Sequence, residues 1–153
     1  MEYLTAYGWQ GAVLFAWVAL SIGSFLNVVI YRMPVMLDRE WRSQAREILE
    51  IQDDAPAAGE TFNLITPRSR CPHCHHQIRP WENIPVLSWL LLRGQCANCK
   101  ASIPFRYPGI ELLTGATTIL VIMLFGFKTM GLLPSLITWI LIALTVIDYD
   151  TTI

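Results

Sequence analysis

Three long stretches without a charged residue constrain this chain most. They are Gly11–Ile30, Leu112–Phe127 and Gly131–Ile147. Each has about 16 to 20 residues, which is near the length at which a helix crosses the hydrocarbon core of a bilayer. The alternative is a set of buried helices, but a soluble chain of 153 residues has too little other sequence to cover three of them. The expected fold is a mainly α membrane protein with three transmembrane helices.

Positive charges are confined almost entirely to the connection between the first and second predicted spans. Of the 11 Lys and Arg residues, ten lie between Arg32 and Arg106, and only Lys128 lies elsewhere. Because positive residues are retained on the cytoplasmic side of a membrane, this connection is predicted to be cytosolic and the N-terminus to lie outside. The net charge of −1 provides no basic field for nucleic acid, so the expected partner is the lipid bilayer and no nucleic acid.

These limits divide the chain into four predicted parts. Residues 1–31 form the first span, 32–109 a cytosolic domain, 110–127 the second span and 131–148 the third. The N-terminus lacks the basic segment of a signal peptide, so the first span is expected to be an uncleaved anchor.

Pro34 is expected to end the first span, because a proline disfavours helix at the residue before it. A separate helix is then predicted over Asp38–Gln52, with Asp38 as its N-cap. With Trp41 at the interface, this helix would lie on the inner leaflet or, equally, cover the cysteine-containing segment 71–99 that follows it. Further on, Pro134 is expected in the first turn of the third span.

Two Cys-x-x-Cys pairs make the 32–109 connection a candidate metal-binding domain. The cysteines are Cys71, Cys74, Cys96 and Cys99. Each pair supplies two thiolates at about 2.3 Å from a zinc ion, and the cytosol keeps thiols reduced, so a structural Zn²⁺ site within 71–99 is predicted. Redox-active or plain reduced thiols are the alternatives. His73, His75 and His76 could replace a cysteine as ligand, although solvated loop histidines are the simpler interpretation.

Polar residues lie near the predicted cytosolic ends of all three spans. They are Asn27, Glu111, Asp148 and Asp150. Since the spans alternate in direction, Asn27, Glu111 and Asp148 are expected at one depth, where they could line a common pocket. The simpler interpretation is an interhelical hydrogen bond for Asn27, a helix N-terminal charge for Glu111 and interfacial charges for the aspartates.

The two aspartates are not a ready-made catalytic pair. Residues two positions apart on a helix are separated by about 200° around its axis, so Asp148 and Asp150 lie on different faces. An aspartic protease needs two carboxylates that share a proton and a water. Asp148 is one candidate, and the other carboxylate would be Glu111 or a residue outside this sequence.

Several motifs along the chain resemble those of one enzyme family, the bacterial type IV prepilin peptidases. These motifs are Gly23-Ser24-Phe25-Leu26-Asn27, Cys71-Pro72-His73-Cys74, Asn83-Ile84-Pro85, Cys96 with Cys99, Arg106-Tyr107-Pro108, Glu111-Leu112-Leu113-Thr114-Gly115 and Ile147-Asp148-Tyr149-Asp150-Thr151. The resemblance is to the N-terminal half of that family and covers essentially the whole chain. It implies a multi-pass enzyme of the bacterial inner membrane that serves pilus and type II secretion systems.

The resemblance also implies activities and site residues. The family cleaves prepilins or pseudopilins after a glycine at the cytosolic face and methylates the new N-terminus from S-adenosylmethionine. Asp148 corresponds to the first of its two catalytic aspartates, with Asp150 less suited to that role. The four cysteines match its zinc-ribbon-like cytosolic module. The second aspartate belongs to a Gly-x-Gly-Asp motif that is absent from this sequence, so the chain is expected to be a fragment or truncated product without protease activity of its own.

Two hypotheses from other classes remain open at this point. One is a membrane thiol oxidoreductase using the Cys-x-x-Cys pairs, which would need the pairs on the oxidising side, against the arginine distribution. The other is a non-enzymatic zinc-ribbon membrane scaffold.

Overall fold

The computed structural model describes residues 2–50, 61–126 and 129–151. These residues form four α-helices, α1 (Glu2–Ile48), α2 (Leu87–Leu91), α3 (Arg106–Phe125) and α4 (Thr129–Thr151), with a short 3-10 helix at Pro80–Asn83. Within the described ranges there is no β-strand, only isolated β-bridges. The predicted mainly helical architecture is confirmed.

Helix α1 does not end at Pro34, so the predicted stop at this proline is wrong. The helix continues through Pro34 to Ile48, because the residues after it are good helix formers and tolerate the one lost backbone hydrogen bond. Asp38 is therefore not an N-cap. It lies inside α1 and accepts a 2.8 Å hydrogen bond from Arg42, one turn later. The end of the predicted separate helix, residues 51 and 52, lies outside the described residues.

The length of α1 exceeds what a bilayer requires. Its 47 residues extend over about 70 Å, whereas a bilayer core is about 30 Å thick. The uncharged Gly11–Ile30 stretch occupies only its middle, and the C-terminal part carries Arg39, Arg42 and Arg46. One continuous helix therefore joins an apolar section to a charged one.

Helices α3 and α4 carry the two later apolar stretches. Helix α3 begins at Arg106 with Pro108 in its first turn, where a missing backbone N–H costs nothing, and ends before Gly126, whose φ of 79° suits a glycine. Pro134 was predicted in the first turn of the third span, but it lies further inside α4, because this helix already begins at Thr129. Three helical segments are long and apolar enough to cross a membrane: Val13–Ile48, Arg106–Phe125 and Met130–Thr151.

The three long helices pack around a small common core. Leu26 and Ile30 of α1 meet Ile110 of α3 and Ala143 of α4. Most other apolar side chains of these helices are exposed, as expected for helices surrounded by lipid rather than water. The three long helices therefore present an apolar exterior around a small shared core.

Small and polar residues fix the helix contacts. A Cβ built on Gly115 of α3 would stand 2.9 Å from Leu20 Cδ2 of α1, so the two helices approach closely there. Between α3 and α4, the Trp139 indole N–H donates a 2.8 Å hydrogen bond to the buried Thr118 hydroxyl. These contacts hold α3 between its two neighbours.

Candidate metal centre and aspartate site

The four cysteines meet in one cluster, as the sequence predicted. Their Sγ atoms all lie within 4.8 Å of one another. The Cys71 and Cys99 sulfurs are 3.8 Å apart and those of Cys74 and Cys96 are 4.0 Å apart. A tetrahedron of thiolates around zinc at about 2.3 Å places its sulfurs about 3.8 Å apart. The donor set and its spacing therefore fit a tetrahedral metal ion.

The same distances bear on the redox alternative. A disulfide requires sulfurs about 2.05 Å apart, and the four cysteines are free. All four sulfurs lie within 4.8 Å of one another, within each Cys-x-x-Cys as well as between the pairs, so no single pair of thiols is set apart as a redox couple. A thiol oxidoreductase is therefore not favoured.

Two backbone turns of matching geometry build the cluster. In the first, the Cys71 N–H donates to His76 O and the His75 N–H to Cys71 O, at 2.9 and 3.0 Å. The second repeats both bonds 25 residues later in the chain, from Cys96 to Ala101 and from Lys100 to Cys96. His75 and Lys100 both adopt a positive φ, near 56° and 59°. Each pair is thus presented by the same kind of tight turn, which aims two sulfurs at a common point.

Backbone N–H groups adjust the acidity of the thiols. A hydrogen bond from the His76 backbone, aided by Asn98, lowers the pKa of Cys74 to about 6. Backbone N–H groups of Cys99 and Asn98 likewise lower the pKa of Cys96. The Ala101 N–H acts in the same direction on Cys99, but burial and the three neighbouring thiols together raise the pKa of Cys99 to about 11. Four thiolates this close repel one another, and a cation between them would remove that penalty.

None of the three neighbouring histidines belongs to the sulfur cluster in the described part of the chain. His73 and His75 are exposed. His76 Nε2 lies 3.1 Å from a carboxylate oxygen of Glu82, which also accepts the Arg79 backbone N–H at 2.9 Å. The Arg79 N–H, with a smaller contribution from His76, lowers the pKa of Glu82. These contacts brace the first turn from outside.

The apolar segment between the cysteine pairs packs within the module, near the point where the module joins α3. The Trp89 indole N–H donates a 3.0 Å hydrogen bond to Ile103 O. The Trp89 ring packs edge-on against the Phe105 ring, with 5.7 Å between the ring centroids. Gly94, at a φ of 66°, lies so close that an added Cβ would stand 2.9 Å from the Trp89 ring. Phe105 immediately precedes Arg106, so the module ends where α3 begins.

Glu111 fastens the module to the helices. Its side chain is buried, and one carboxylate oxygen accepts a 2.7 Å hydrogen bond from the backbone N–H of Val86, the residue before α2. Val86 has a φ of 59°, an uncommon conformation for a β-branched residue, which turns its N–H toward α3. Ser24 of α1 also hydrogen-bonds the Glu111 carboxylate. Glu111 therefore joins the module, α1 and α3.

Two residues of α1 make further attachments. The Asn27 amide donates a 3.1 Å hydrogen bond to Tyr107 O in the first turn of α3. Arg32 is buried and donates to the Asn63 and Pro67 carbonyls at 2.6 and 2.5 Å, so it holds the loop that precedes the first cysteine turn. From the sequence, Arg32 is predicted only to mark the cytosolic side of the membrane. Its position directly after a long apolar run was the available signal.

The two aspartates lie near the end of α4 in unlike surroundings. The Arg106 guanidinium binds both carboxylate oxygens of Asp150, with Nη1 to Oδ1 at 2.8 Å and Nη2 to Oδ2. Asp148 is exposed, and its side chain makes no hydrogen bond or ion pair within the described residues. Likewise, neither Glu111 nor Asn27 is hydrogen-bonded to Asp148 there, so the pocket expected among these three stays a prediction.

Comparison with known proteins gives a consistent result. Residues 17–125 match the family model described as the bacterial peptidase A24 N-terminal domain. The chain is 56% identical over 131 residues, 86% of its length, to the prepilin leader peptidase/N-methyltransferase of Stutzerimonas stutzeri, covering 45% of that protein. It is 43% identical over 150 residues, 98% of its length, to the protein of that name from Pseudomonas aeruginosa, covering 51% of it.

The chain spans about half the length of the curated relatives it matches. No match was found among solved structures. Because the family model covers most of the chain and the relatives align over nearly all of it, the chain belongs to the bacterial prepilin leader peptidase/N-methyltransferase family and corresponds to its N-terminal half.

Proposed function

We propose that this chain provides the N-terminal half of an enzyme that removes the leader peptide from type IV prepilin-like proteins and methylates the new N-terminus. The observation that carries the proposal is its alignment, over 86% to 98% of its residues, with proteins named prepilin leader peptidase/N-methyltransferase. The unpaired Asp148 at the end of α4 supports it, because a carboxylate at that place is open to a substrate.

In this proposal the three apolar helices span the bacterial inner membrane. The arginine-rich connection, residues 32–109, then lies in the cytosol, together with the ends of α1, α3 and α4 that adjoin it. A secreted prepilin would present its leader at this face before export. Asp148 lies near the end of α4, at the same end of the helices as Arg106, which is consistent with cleavage at the cytosolic face.

We assign the cysteine cluster to a structural Zn²⁺ in a zinc-ribbon-like module. Cys71, Cys74, Cys96 and Cys99 would fill all four positions of a tetrahedral site, leaving none for substrate. The ion would supply folding free energy to a segment with little core of its own. It takes no part in the cleavage step that we propose.

For peptide cleavage, Asp148 would be one of two catalytic carboxylates. In an aspartic mechanism one carboxylate takes a proton from the attacking water while its protonated partner polarises the peptide carbonyl. Asp150 is unsuited to be that partner because Arg106 occupies both of its oxygens, and Glu111 is already engaged by Val86 and Ser24. The partner carboxylate is expected from the Gly-x-Gly-Asp motif of the family, which these 153 residues do not contain.

The family name implies S-adenosylmethionine as the donor of the methyl group. We assign no residue of this chain to its binding, since the described residues offer no group of contacts that points to it.

The assignment is tested with the longest form of the protein that its gene encodes, purified in detergent and given a prepilin substrate. Asp148→Asn should lower leader cleavage by about 10²- to 10⁴-fold, the usual contribution of a catalytic acid or base, without changing the zinc content. Asp38→Asn, the same chemical change at an exposed site on α1, is the matched control and should cleave normally. Normal cleavage by Asp148→Asn would refute the assignment.

A further inference from the structure

Two neighbouring aspartates of α4 differ in their contacts, and the proposed function does not use this difference. Asp150 is gripped through both oxygens by Arg106, the first residue of α3. The side chain of Asp148, two residues earlier on α4, has no hydrogen-bond or ion-pair partner among the described residues. The Arg106–Asp150 ion pair therefore joins the beginning of α3 to the last turn of α4, close to the proposed catalytic residue Asp148.

We propose that Arg106 is a positioning residue for Asp148 and acts through Asp150; this inference rests on the proposed function. Two parallel hydrogen bonds between a guanidinium and a carboxylate fix direction as well as distance. On a helix, Asp148 lies about 200° around the axis from Asp150. Holding Asp150 against α3 therefore turns Asp148 away from α3, toward the side where a substrate and a second carboxylate could approach.

The cysteine module determines where Arg106 itself lies. Phe105, the preceding residue, is held edge-on against Trp89, whose indole N–H is bonded to Ile103 O. The backbone leading into α3 is thereby fixed by contacts inside the module. A chain of contacts then runs from the module through Arg106 to Asp150 and α4, which would give the metal-binding region an influence on the reaction without touching the substrate.

The exposure of the pair makes this role separable from folding. The Arg106 and Asp150 side chains are 43% and 30% exposed, and ion pairs this accessible contribute little to stability. Their loss should therefore alter the orientation of the last turn of α4 much more than the stability of the protein. A displacement of about 1 Å at a reacting group can lower a rate by about a hundredfold.

The test compares Arg106→Met, Asp150→Asn and the double variant in steady-state cleavage of a prepilin by the longest form of the protein that its gene encodes. Each single variant should lower kcat by about 10- to 100-fold while KM stays within about twofold. Because both changes break the same contact, the double variant should be no slower than the slower single variant. Arg42→Met, which breaks the exposed Arg42–Asp38 pair on α1, is the matched control and should leave kcat unchanged.

Several outcomes would overturn the inference. Normal kcat in Arg106→Met or in Asp150→Asn, or additive losses in the double variant, would show that the pair does not position Asp148. Loss of zinc or of folded protein in Arg106→Met, but not in Arg42→Met, would assign Arg106 to folding instead. Asp148→Asn separates the two proposals: if it cleaves normally the proposed function itself fails, and if it alone is inactive only the positioning role fails.

Discussion

Gly23 of α1 lies directly against the backbone of Glu111 in α3. A Cβ built on Gly23 would stand 2.6 Å from the Glu111 Cα and 3.1 Å from its carbonyl oxygen. Only a residue without a side chain allows α1 and α3 to approach this closely. The contact sets the spacing at which Glu111 can also reach Ser24 and the cysteine module.

Gly23→Ala is therefore expected to push α1 and α3 apart. Backbone atoms cannot move aside as a flexible side chain would, so the variant should lose about 1 to 3 kcal/mol of stability, measured by thermal unfolding in detergent. Gly109→Ala is the matched control, because its added Cβ would meet only the Phe105 ring at an ordinary 3.6 Å. Equal stability of the two variants would contradict the close contact at Gly23.

Replacement of Glu111 should loosen the module rather than the helices. In Glu111→Leu the Val86 N–H loses its acceptor, which costs about 1 to 3 kcal/mol when the donor stays buried. Hydrogen exchange should then accelerate at Val86 and α2, while α4 stays protected. Glu111→Gln keeps a carbonyl oxygen as acceptor and should lie between this variant and the wild type. Unchanged exchange at Val86 in Glu111→Leu would disprove the anchoring role.

Metal removal should open the two cysteine turns selectively. Their backbone bonds, such as Cys71 N–H to His76 O and Cys96 N–H to Ala101 O, would lose the ion that ties the turns together. A chelator is expected to raise hydrogen exchange across both turns and leave α3 and α4 protected. The same chelator saturated beforehand with zinc is the control. Protection that survives complete metal removal would contradict a structural metal.

Acid should release the metal, because a thiol does not bind zinc. The pKa of Cys74 is lowered to about 6 by the His76 backbone N–H, so this sulfur stays a thiolate at neutral pH and is protonated as the pH falls through that value. Because zinc displaces the protons of all four thiols when it binds, including that of Cys99, zinc content after dialysis should be full at pH 7 and fall only in acid, below the pKa of about 6 that Cys74 has without metal. His76→Ala keeps the backbone N–H and should keep the same midpoint. A large shift in His76→Ala would assign the effect to the imidazole ring instead.

The sequence was informative where a property is local. Uncharged runs predicted three long helices, and cysteine spacing predicted one cluster, because hydrophobic length and Cys-x-x-Cys turns depend on a few adjacent residues. Pro34 misled the prediction, since the rule that a proline ends a helix ignores the helix-forming residues on both sides.

The contacts that organise the site could not be predicted from adjacent residues, because they join residues far apart in the sequence. Arg106 and Asp150 are 44 residues apart, and Val86 and Glu111 are 25 apart. Their pairing depends on how α3 packs against α4 and on the unusual φ of Val86, neither of which leaves a signature in neighbouring residues. The sequence shows charged residues at the ends of the predicted spans, but it does not show which partner each of them binds.

The proposal that the cysteine module and Asp148 share the cytosolic side of the membrane is best tested by thiol labelling in intact cells. Exposed Ser102, in the module, and exposed Met130, at the opposite end of α4 from Asp148, are each changed to Cys and treated with a reagent that cannot cross the inner membrane. Ser102→Cys should be labelled only after the membrane is opened, and Met130→Cys already in intact cells, with the wild type as background. Labelling of Ser102→Cys in intact cells would place the module and Asp148 outside, where an unexported prepilin could not be cleaved.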